Sequence, residues 1–198
     1  MEVQQWLLPC ELVGASIRLV PLTLDHMNGL IEAEKDGNLS SLWFTSVPND
    51  RSIEAYINDA LLQQHNGTSL PFVVIDSITN KVIGSTRFCH IVQNNRRVEI
   101  GYTWYGKSHQ RSSVNTQCKS VMLQYAFEIL GVIAVEFRTH WHNHASRTAI
   151  ARLGAKQDGV LRNHQQDPDG GYRDTVVFSI INSEWPVVKK SLHYKLKQ

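Results

Sequence analysis

The segment from Gln110 to Asn115 contains the residues best suited to bind an anion. The small and basic run Gln110-Arg111-Ser112-Ser113-Val114-Asn115 directly precedes a stretch with the periodicity of an amphipathic helix. Successive backbone N–H groups and the positive end of a helix dipole hold phosphate well, and Arg111 would add a mobile charge. The same residues also suit an ordinary helix start capped by Ser112 or Ser113. The sequence therefore indicates either a diphosphate site or a plain helix N-terminus.

A second candidate for chemistry is a set of three alternating histidines, His140, His142 and His144. A β-strand would place all three side chains on one side. As a metal site the set lacks a nearby cysteine or carboxylate, and His144 is expected beyond the end of the strand. We therefore predict no metal site, and expect these histidines to line a cleft or the surface.

Length and composition favour one globular domain over residues 1–198. The chain has 198 residues, of which 42% are hydrophobic, and a net charge of +2 without blocks of like charge. This balance does not indicate binding to nucleic acid or to a membrane surface. The three cysteines, Cys10, Cys89 and Cys118, are unlike a disulfide framework. Residues 1–5 do not resemble a signal peptide, and no apolar run approaches the roughly 20 residues that span a bilayer. We expect a soluble, cytoplasmic protein.

Periodicity and turn residues predict the elements that would position the anion-binding segment. Before it, alternation predicts a strand at 16–22, and helical spacing predicts helices at 24–34 and 52–64. Turns at 79–81 and 94–95 separate three further predicted strands at 72–76, 82–92 and 97–104. The last three of these strands are expected to be consecutive and antiparallel. The predicted strand at 97–104 would then lead directly into the candidate loop.

The strongest helix prediction follows the loop, at residues 113–130, because one apolar stripe is sustained until Gly131. The remaining predictions are a strand at 134–140, a short helix at 146–153, a hairpin of 155–162 and 174–182 joined by a loop at 167–171, and a last helix at 184–196. This order predicts an α+β fold with a mixed sheet of about seven strands.

Taken together, several ordered segments resemble the GNAT superfamily of N-acetyltransferases, and more narrowly its RimJ/RimL-like branch. The resemblance runs from residue 12 to about residue 185. It rests on Glu99-Ile100-Gly101-Tyr102, on Gln110 to Thr116, on Asn143-His144-Ala145-Ser146 and on Arg152-Leu153-Gly154-Ala155. It implies a GNAT-like fold with a splayed pair of parallel strands, acetyl-CoA as co-substrate, and an amine as acetyl acceptor.

By this resemblance, the family's phosphate loop falls on Gln110, Arg111, Ser112, Ser113, Val114 and Asn115. Two positions depart from the family pattern: Ser113 replaces the first glycine, and Asn115 replaces the second small residue. Glycine favours close approach of the backbone to phosphate, and serine is small enough to keep such a cradle. The resemblance implies that all six residues bind the diphosphate of CoA.

The resemblance also assigns the strand that ends at Tyr102-Thr103-Trp104 to the pantetheine arm, which would pair with it like an added strand. A backbone N–H near Thr103 or Trp104 would stabilise the oxyanion formed during acyl transfer. The residues alone give a different expectation for two side chains, since tyrosine and tryptophan at these positions would pack in the core.

On the far side of the gap, the resemblance implies that Asn143 bonds the pantetheine. The family's tyrosine proton donor falls on Ile150, so that role cannot be transferred to this chain. Ser146 resembles the serine that the RimL-like branch offers to the CoA sulfur. Its alternative is an N-cap or first-turn residue of the following helix.

Glu99 is the first candidate for the general base, acting through water on the incoming ammonium. The alternative is a cross-strand partner of Arg97, Arg87 or another basic residue. Trp43 and Phe44 are assigned to the acceptor pocket, with a hydrophobic lid contact as the alternative. An α-amine costs about 1.4 kcal/mol to deprotonate at pH 7 and a lysine about 4.6 kcal/mol, which favours an α-amine or a small amine of low pKa.

The leading hypothesis is an acetyl-CoA-dependent N-acetyltransferase that transfers the acetyl group directly to a primary amine, on a peptide N-terminus or a small molecule. The alternative is a catalytically inactive acyl-CoA-binding module of the same fold, suggested by Ser113, Ile150 and the unassigned base. A homodimer stays open, since homodimers are common in the family that the chain resembles.

Overall fold

The computed structural model describes residues 6–167 and 170–198. Its strands are β1 (Leu12–Val13), β2 (Ile17–Pro21), β3 (Leu70–Asp76), β4 (Val82–Val92), β5 (Arg97–Tyr105), β6 (Ala134–His140), β7 (Lys156–Gln166) and β8 (Tyr172–Ile181). Its α-helices are α1 (Met27–Lys35), α2 (Ile53–His65), α3 (Val114–Gln124), α4 (His144–Leu153) and α5 (Trp185–Lys195). The strands form one sheet in the order β1-β2-β3-β4-β5-β6-β8-β7.

The α+β class and the mixed sheet are confirmed, with eight strands in place of about seven. The additional strand, β1, is only two residues long and pairs antiparallel with β2, so it is too short to show a periodicity. The predicted antiparallel run of β3, β4 and β5 is also confirmed. Of the loop predicted at 167–171, Pro168 and Asp169 lie outside the described residues.

Helix boundaries differ from the predictions where local hydrogen bonds intervene. A 3-10 turn, Leu24–His26, precedes α1, and a π-helical turn, Tyr125–Ile129, follows α3 within the predicted helix at 113–130. α4 begins two residues before the predicted start, because the side chain of Asn143 caps it by accepting the N–H of Ser146. No helix of the described residues is long and apolar enough to cross a membrane.

The sheet has a hydrophobic core on each face. On one face α3 packs Cys118 and Met122 against Phe88 of β4. On the other face α1 and α2 pack Leu30 and Ile57 against Trp104 of β5. Burial of each such side chain contributes about 1.5–3 kcal/mol. The three cysteines are free, and Cys118 belongs to the core as its place in the helix stripe predicted.

The parallel pair β5–β6 is splayed, as predicted. The two strands pair only between Arg97–Glu99 and Ala134–Glu136. β6 continues to His140 with β8 on its other side, while β5 continues to Tyr105 with β4 on its other side. No strand of the described residues pairs with the β5 edge from residue 100 to residue 105, and this open edge leads toward the N-terminus of α3.

Candidate active site

A β-bulge lies in the open part of β5. Ser85 pairs with Trp104 and Arg87 pairs with Gly101, so the single residue Thr86 of β4 opposes both Tyr102 and Thr103. Tyr102 has a φ of 51°, in the left-handed region that tyrosine rarely adopts. Such a bulge bends a strand and redirects its side chains. The bulge therefore changes the direction of β5 within the stretch where its edge has no partner strand.

A buried lysine of α3 supports this bulge from below. Nζ of Lys119 donates to Oγ1 of Thr103 at 2.6 Å and to Oγ1 of Thr86 at 3.0 Å. The two threonine hydroxyls are themselves 2.7 Å apart. Burial lowers the pKa of Lys119 from 10.5 to about 8. The bulge is thus held by a hydrogen-bonded cation.

The backbone between β5 and α3 leaves a series of amides free. The N–H groups of Arg111, Ser112, Ser113, Asn115 and Thr116 donate to no atom of the described residues. Arg111 has a φ of 58°, which gives the alternation of left- and right-handed residues that forms an anion-binding nest. Unpaired amides ahead of a helix bind phosphate groups well, so the residues of this loop fit the diphosphate of CoA.

The side chains around these amides fasten the loop to β5. Gln110 donates from Nε2 to the carbonyl of Tyr105 at 2.9 Å, and Asn115 accepts from the hydroxyl of Tyr105 at 3.2 Å. Ser112 caps the N–H of Val114, whereas Ser113 accepts from Gln117 and caps nothing. Arg111 is exposed and Val114 is buried in the core. The six predicted loop residues therefore lie together between β5 and α3, with the side chains of Gln110 and Asn115 bonded to Tyr105.

Asn143 and Ser146 lie at the junction of β6 and α4, across the splay from β5. Oδ1 of Asn143 accepts the N–H of Ser146 at 3.0 Å, so Asn143 is the helix cap and Ser146 belongs to the first turn. The expectation that Ser146 starts the helix is wrong by two residues. Both side chains are half-buried. Ile150, at the position of the family's tyrosine, is buried in the core.

Glu99 is a buried residue at the last paired position of the splay, opposite Glu136 of β6. Its Oε2 lies 2.8 Å from Nδ1 of His90 and 3.3 Å from Nε of Arg138. The alternative expectation of a basic cross-strand partner is therefore confirmed, with His90 and Arg138 in that role. Arg97, one of the two arginines named for it, pairs with Glu136 instead. The Glu99 hydrogen bond raises the pKa of His90. Oε1 accepts no hydrogen bond from any described residue.

The aromatic residues of β5 divide between the core and the cleft. Trp104 is 7% exposed and packs in the α1–α2 core, as expected from its type. Tyr102 is 40% exposed, so the expectation of core packing is wrong for it. The bulge is the physical reason, because it turns Tyr102 out of the regular alternation. Its ring instead covers the guanidinium of Arg87, at 3.9 Å from the ring centroid.

Trp43 and Phe44 lie at the far end of β6. Their rings meet edge to face at 5.5 Å, and Trp43 also contacts His140 at 5.1 Å and His142 at 5.7 Å. Nδ1 of His140 accepts the N–H of His142. This aromatic and histidine cluster therefore lies at the end of β6 that is not paired with β5.

Sequence reasoning missed several residues that the fold brings to the splay. They are Tyr56, His90, Lys119 and Arg138, together with Arg87, which was considered only as a partner of Glu99. The one signal in the sequence that could have found them is a polar side chain within an otherwise apolar strand or helix. Within the described chain, one group of three metal-ligand types converges, Cys89, His90 and Glu99, with ligand atoms within 4.8 Å. Burial raises the pKa of the Cys89 thiol far above its ordinary value, and Arg138 lies beside Glu99, so this group is poorly suited to a cation.

Comparison with known proteins places this arrangement in a family. The family model for the acetyltransferase (GNAT) domain matches residues 16–156. The uncharacterized N-acetyltransferase p20 of Bacillus licheniformis is 29% identical over 142 residues, which cover 72% of this chain and 77% of that protein. A GCN5-related N-acetyltransferase from Brucella melitensis has a crystal structure that is 28% identical, with a TM-score of 0.84, over 95% of this chain and 86% of that one.

The structure of Mycobacterium smegmatis RimJ in complex with CoA-disulfide is also similar in fold, with a TM-score of 0.80 over 94% of this chain and 95% of that one, at 17% identity. The chain belongs to the GNAT family of acetyltransferases. It is an N-acetyltransferase of that family, and RimJ is among its structural neighbours, as the sequence resemblance indicated.

Proposed function

We propose that this protein transfers the acetyl group of acetyl-CoA directly to a primary amine, on a peptide N-terminus or a small molecule. The observation that carries the proposal is the open edge of β5, which joins a loop of free amides at one end to Glu99 at the other. Acetyl-CoA supplies an activated acyl group as a thioester, so the protein has to bind, align and deprotonate rather than form a covalent link.

The backbone would hold the carrier. The five free amides between residues 111 and 116, all but that of Val114, would bind the diphosphate, with exposed Arg111 as an additional charge. The open edge of β5 would pair with the amide groups of the pantetheine arm, as an added strand does. Asn143 would bond the arm from the α4 side. The free amides of the loop and the unpaired edge of β5 support the first two of these contacts.

At the acyl end, a backbone N–H near Thr103 or Trp104 would donate to the carbonyl oxygen as negative charge develops there. Removal of one such donor from other enzymes costs about 3 kcal/mol. Ser146 would donate its hydroxyl to the departing sulfur. That demand is modest, because a thiol with a pKa of about 8.5 leaves readily as a thiolate.

Glu99 would remove the proton from the incoming ammonium through a water held by Oε1. Its second oxygen is occupied by His90 and Arg138, which fix the orientation of the carboxylate. The His90 side chain is 62% exposed and connects this pair to solvent. Trp43 and Phe44 would form the outer wall of the acceptor site.

The proposal is tested by measuring thiol release from acetyl-CoA in the presence of a panel of primary amines. We expect thiol release that depends on an amine and that decreases in Ser146→Ala. Binding of acetyl-CoA without thiol release from any amine would support the inactive binding module instead. No binding at high micromolar acetyl-CoA would contradict both functions.

A further inference from the structure

Arg87, in the middle of β4, is a buried cation for which the described residues supply no hydrogen-bond acceptor. The residue is 1% exposed, and Nε, Nη1 and Nη2 have no partner among residues 6–167 and 170–198. Its guanidinium lies between two tyrosine rings, 3.9 Å from the centroid of Tyr102 and 4.8 Å from that of Tyr56. Cation–π contacts offset part of the desolvation cost but satisfy none of the five N–H donors.

The carboxylates on the same face of the sheet are engaged elsewhere. Glu99 contacts His90 and Arg138, and Glu136 contacts Arg97 and Arg138. On α2, Asp59 accepts from Gln63. Leaving a buried guanidinium unpaired is costly, and chains usually pair such groups internally. The unused donors of Arg87 therefore point to an acceptor group outside the residues that the structure describes.

The position of Arg87 connects it to the reacting end of the splay. It pairs in register with Gly101, immediately before the bulge. A β-carbon on Gly101 would lie 3.1 Å from Oε1 of Glu99, the oxygen without a protein partner. Gly101 thus lies close to the unused oxygen of Glu99 and is the cross-strand neighbour of the residue that carries the unpaired guanidinium. An ammonium and a carboxylate separated by a few bonds complement this pair of charges.

We propose that Arg87 binds a carboxylate of the acceptor, and that the acceptor is a small amine carrying this carboxylate near its amino group, as an amino acid does. Guanidinium binds carboxylate through two parallel hydrogen bonds, which would use the donors that the protein leaves unpaired. Tyr56 and Tyr102 hold the guanidinium plane for this contact. The inference rests on the proposed acetyl transfer and specifies its acceptor.

The test compares amino acids with their carboxamides as acceptors, using thiol release. A carboxamide has the less basic amine and hence more of the neutral form, so any preference for the acid cannot come from amine reactivity. We expect kcat/KM for the preferred amino acid to exceed that for its amide by at least about 100-fold. In Arg87→Gln this ratio is expected to fall to near one. The same substitution at Arg18, a surface arginine of β2 paired with Glu11, is the matched control and should keep the ratio.

A second measurement on the unaltered protein covers the case in which Arg87→Gln does not fold. Carboxylic acids that lack the amine of the preferred amino acid should inhibit competitively against it, whereas their amides should not. Thiol release with amides as good as acids, or no inhibition by the acids, would overturn the inference while leaving acetyl transfer intact. Efficient use of peptide N-termini without a nearby carboxylate would also overturn it. Absence of thiol release with every amine would contradict the proposed function itself.

Discussion

The two ends of the splay are built from different parts of the polypeptide. At the α3 end the groups that lack a partner among the described residues are backbone amides, and the side chains of Gln110 and Asn115 fasten the loop to Tyr105. On the α1–α2 face the groups with unused hydrogen-bonding atoms are buried side chains, chiefly Glu99 and Arg87.

This difference explains how the chain can depart from the family pattern at one end. A backbone cradle requires a small residue rather than a particular functional group, so Ser113 can stand where the family has glycine. In the proposed acceptor site, by contrast, the side chains themselves would contact the amine, so its function depends on residue type. The charges of Glu99 and Arg87 would each determine which acceptor binds. Conservative substitutions in the loop should therefore leave acetyl-CoA affinity nearly unchanged, whereas conservative substitutions of the acceptor-site side chains should lower the rate of transfer.

The largest effect is expected for Glu99→Gln. Removal of the proposed base should lower kcat about 1000-fold. The substitution should also lower the pKa of His90 toward its ordinary value, because the hydrogen bond to Glu99 is what raises it. Steady-state kinetics and an NMR titration of His90 measure the two effects. Glu136→Gln, in the register position opposite Glu99, is the control and should affect kcat less; equal losses would remove the distinction between the two carboxylates.

Ser113→Asp tests the α3 end. The new carboxylate would lie among the free amides and repel the diphosphate, so the Kd of acetyl-CoA should rise about 100-fold. The melting temperature should not fall, because aspartate at a helix N-terminus is stabilising. Calorimetry with the control Ser183→Asp, at an exposed position before α5, separates this effect from added charge alone. Unchanged affinity in Ser113→Asp would mean that the amides do not contact the diphosphate.

Lys119→Met tests the support of the bulge through its pH dependence. The lowered pKa of Lys119 means that the unfolded chain binds more protons than the folded protein between about pH 8 and pH 10.5. The stability of the unaltered protein should therefore rise relative to Lys119→Met by about 2 kcal/mol between pH 7 and about pH 9.5. Urea unfolding at both pH values measures the difference. A difference that does not change with pH would show that Lys119 is not held in a desolvated site.

The smallest effect is expected for Asn143→Ala, which removes the cap of α4. The loss of the Oδ1 contact to Ser146 should decrease the free energy of unfolding by about 1 kcal/mol. Asn143→Ser, which retains a capping oxygen, should keep most of this stability while losing the proposed contact to pantetheine. Acetyl-CoA affinity equal in all three proteins would remove Asn143 from the carrier site.

The parts of the fold that could be predicted are those set by local pattern. The α3 stripe lies within a single segment, so periodicity was sufficient to find it. Turn residues at 79–81 and 94–95 likewise separate β3, β4 and β5 along the chain. The splay was expected only from the resemblance, because strand pairing over a short stretch leaves no local pattern.

The contacts around Glu99 and Arg87, on the proposed acceptor side, could not be predicted from the sequence. They join distant residues through irregular backbone geometry. Arg87 meets Tyr56 across 31 positions and Tyr102 only because a bulge turns that ring. Glu99 meets His90 because the register shifts between Cys89 and Val92, where His90 has a φ of 45°. A regular ladder offers neither contact. Irregular backbone positions therefore decide the composition of the site.

Backbone amide resonances during titration with acetyl-CoA test the central claim most directly. We predict that the amides of Arg111, Ser112, Ser113, Asn115 and Thr116 shift most, together with those along the open edge of β5, and that acetyl-pantetheine shifts the β5 amides alone. Binding that leaves the amides of residues 111–116 unperturbed would contradict the account.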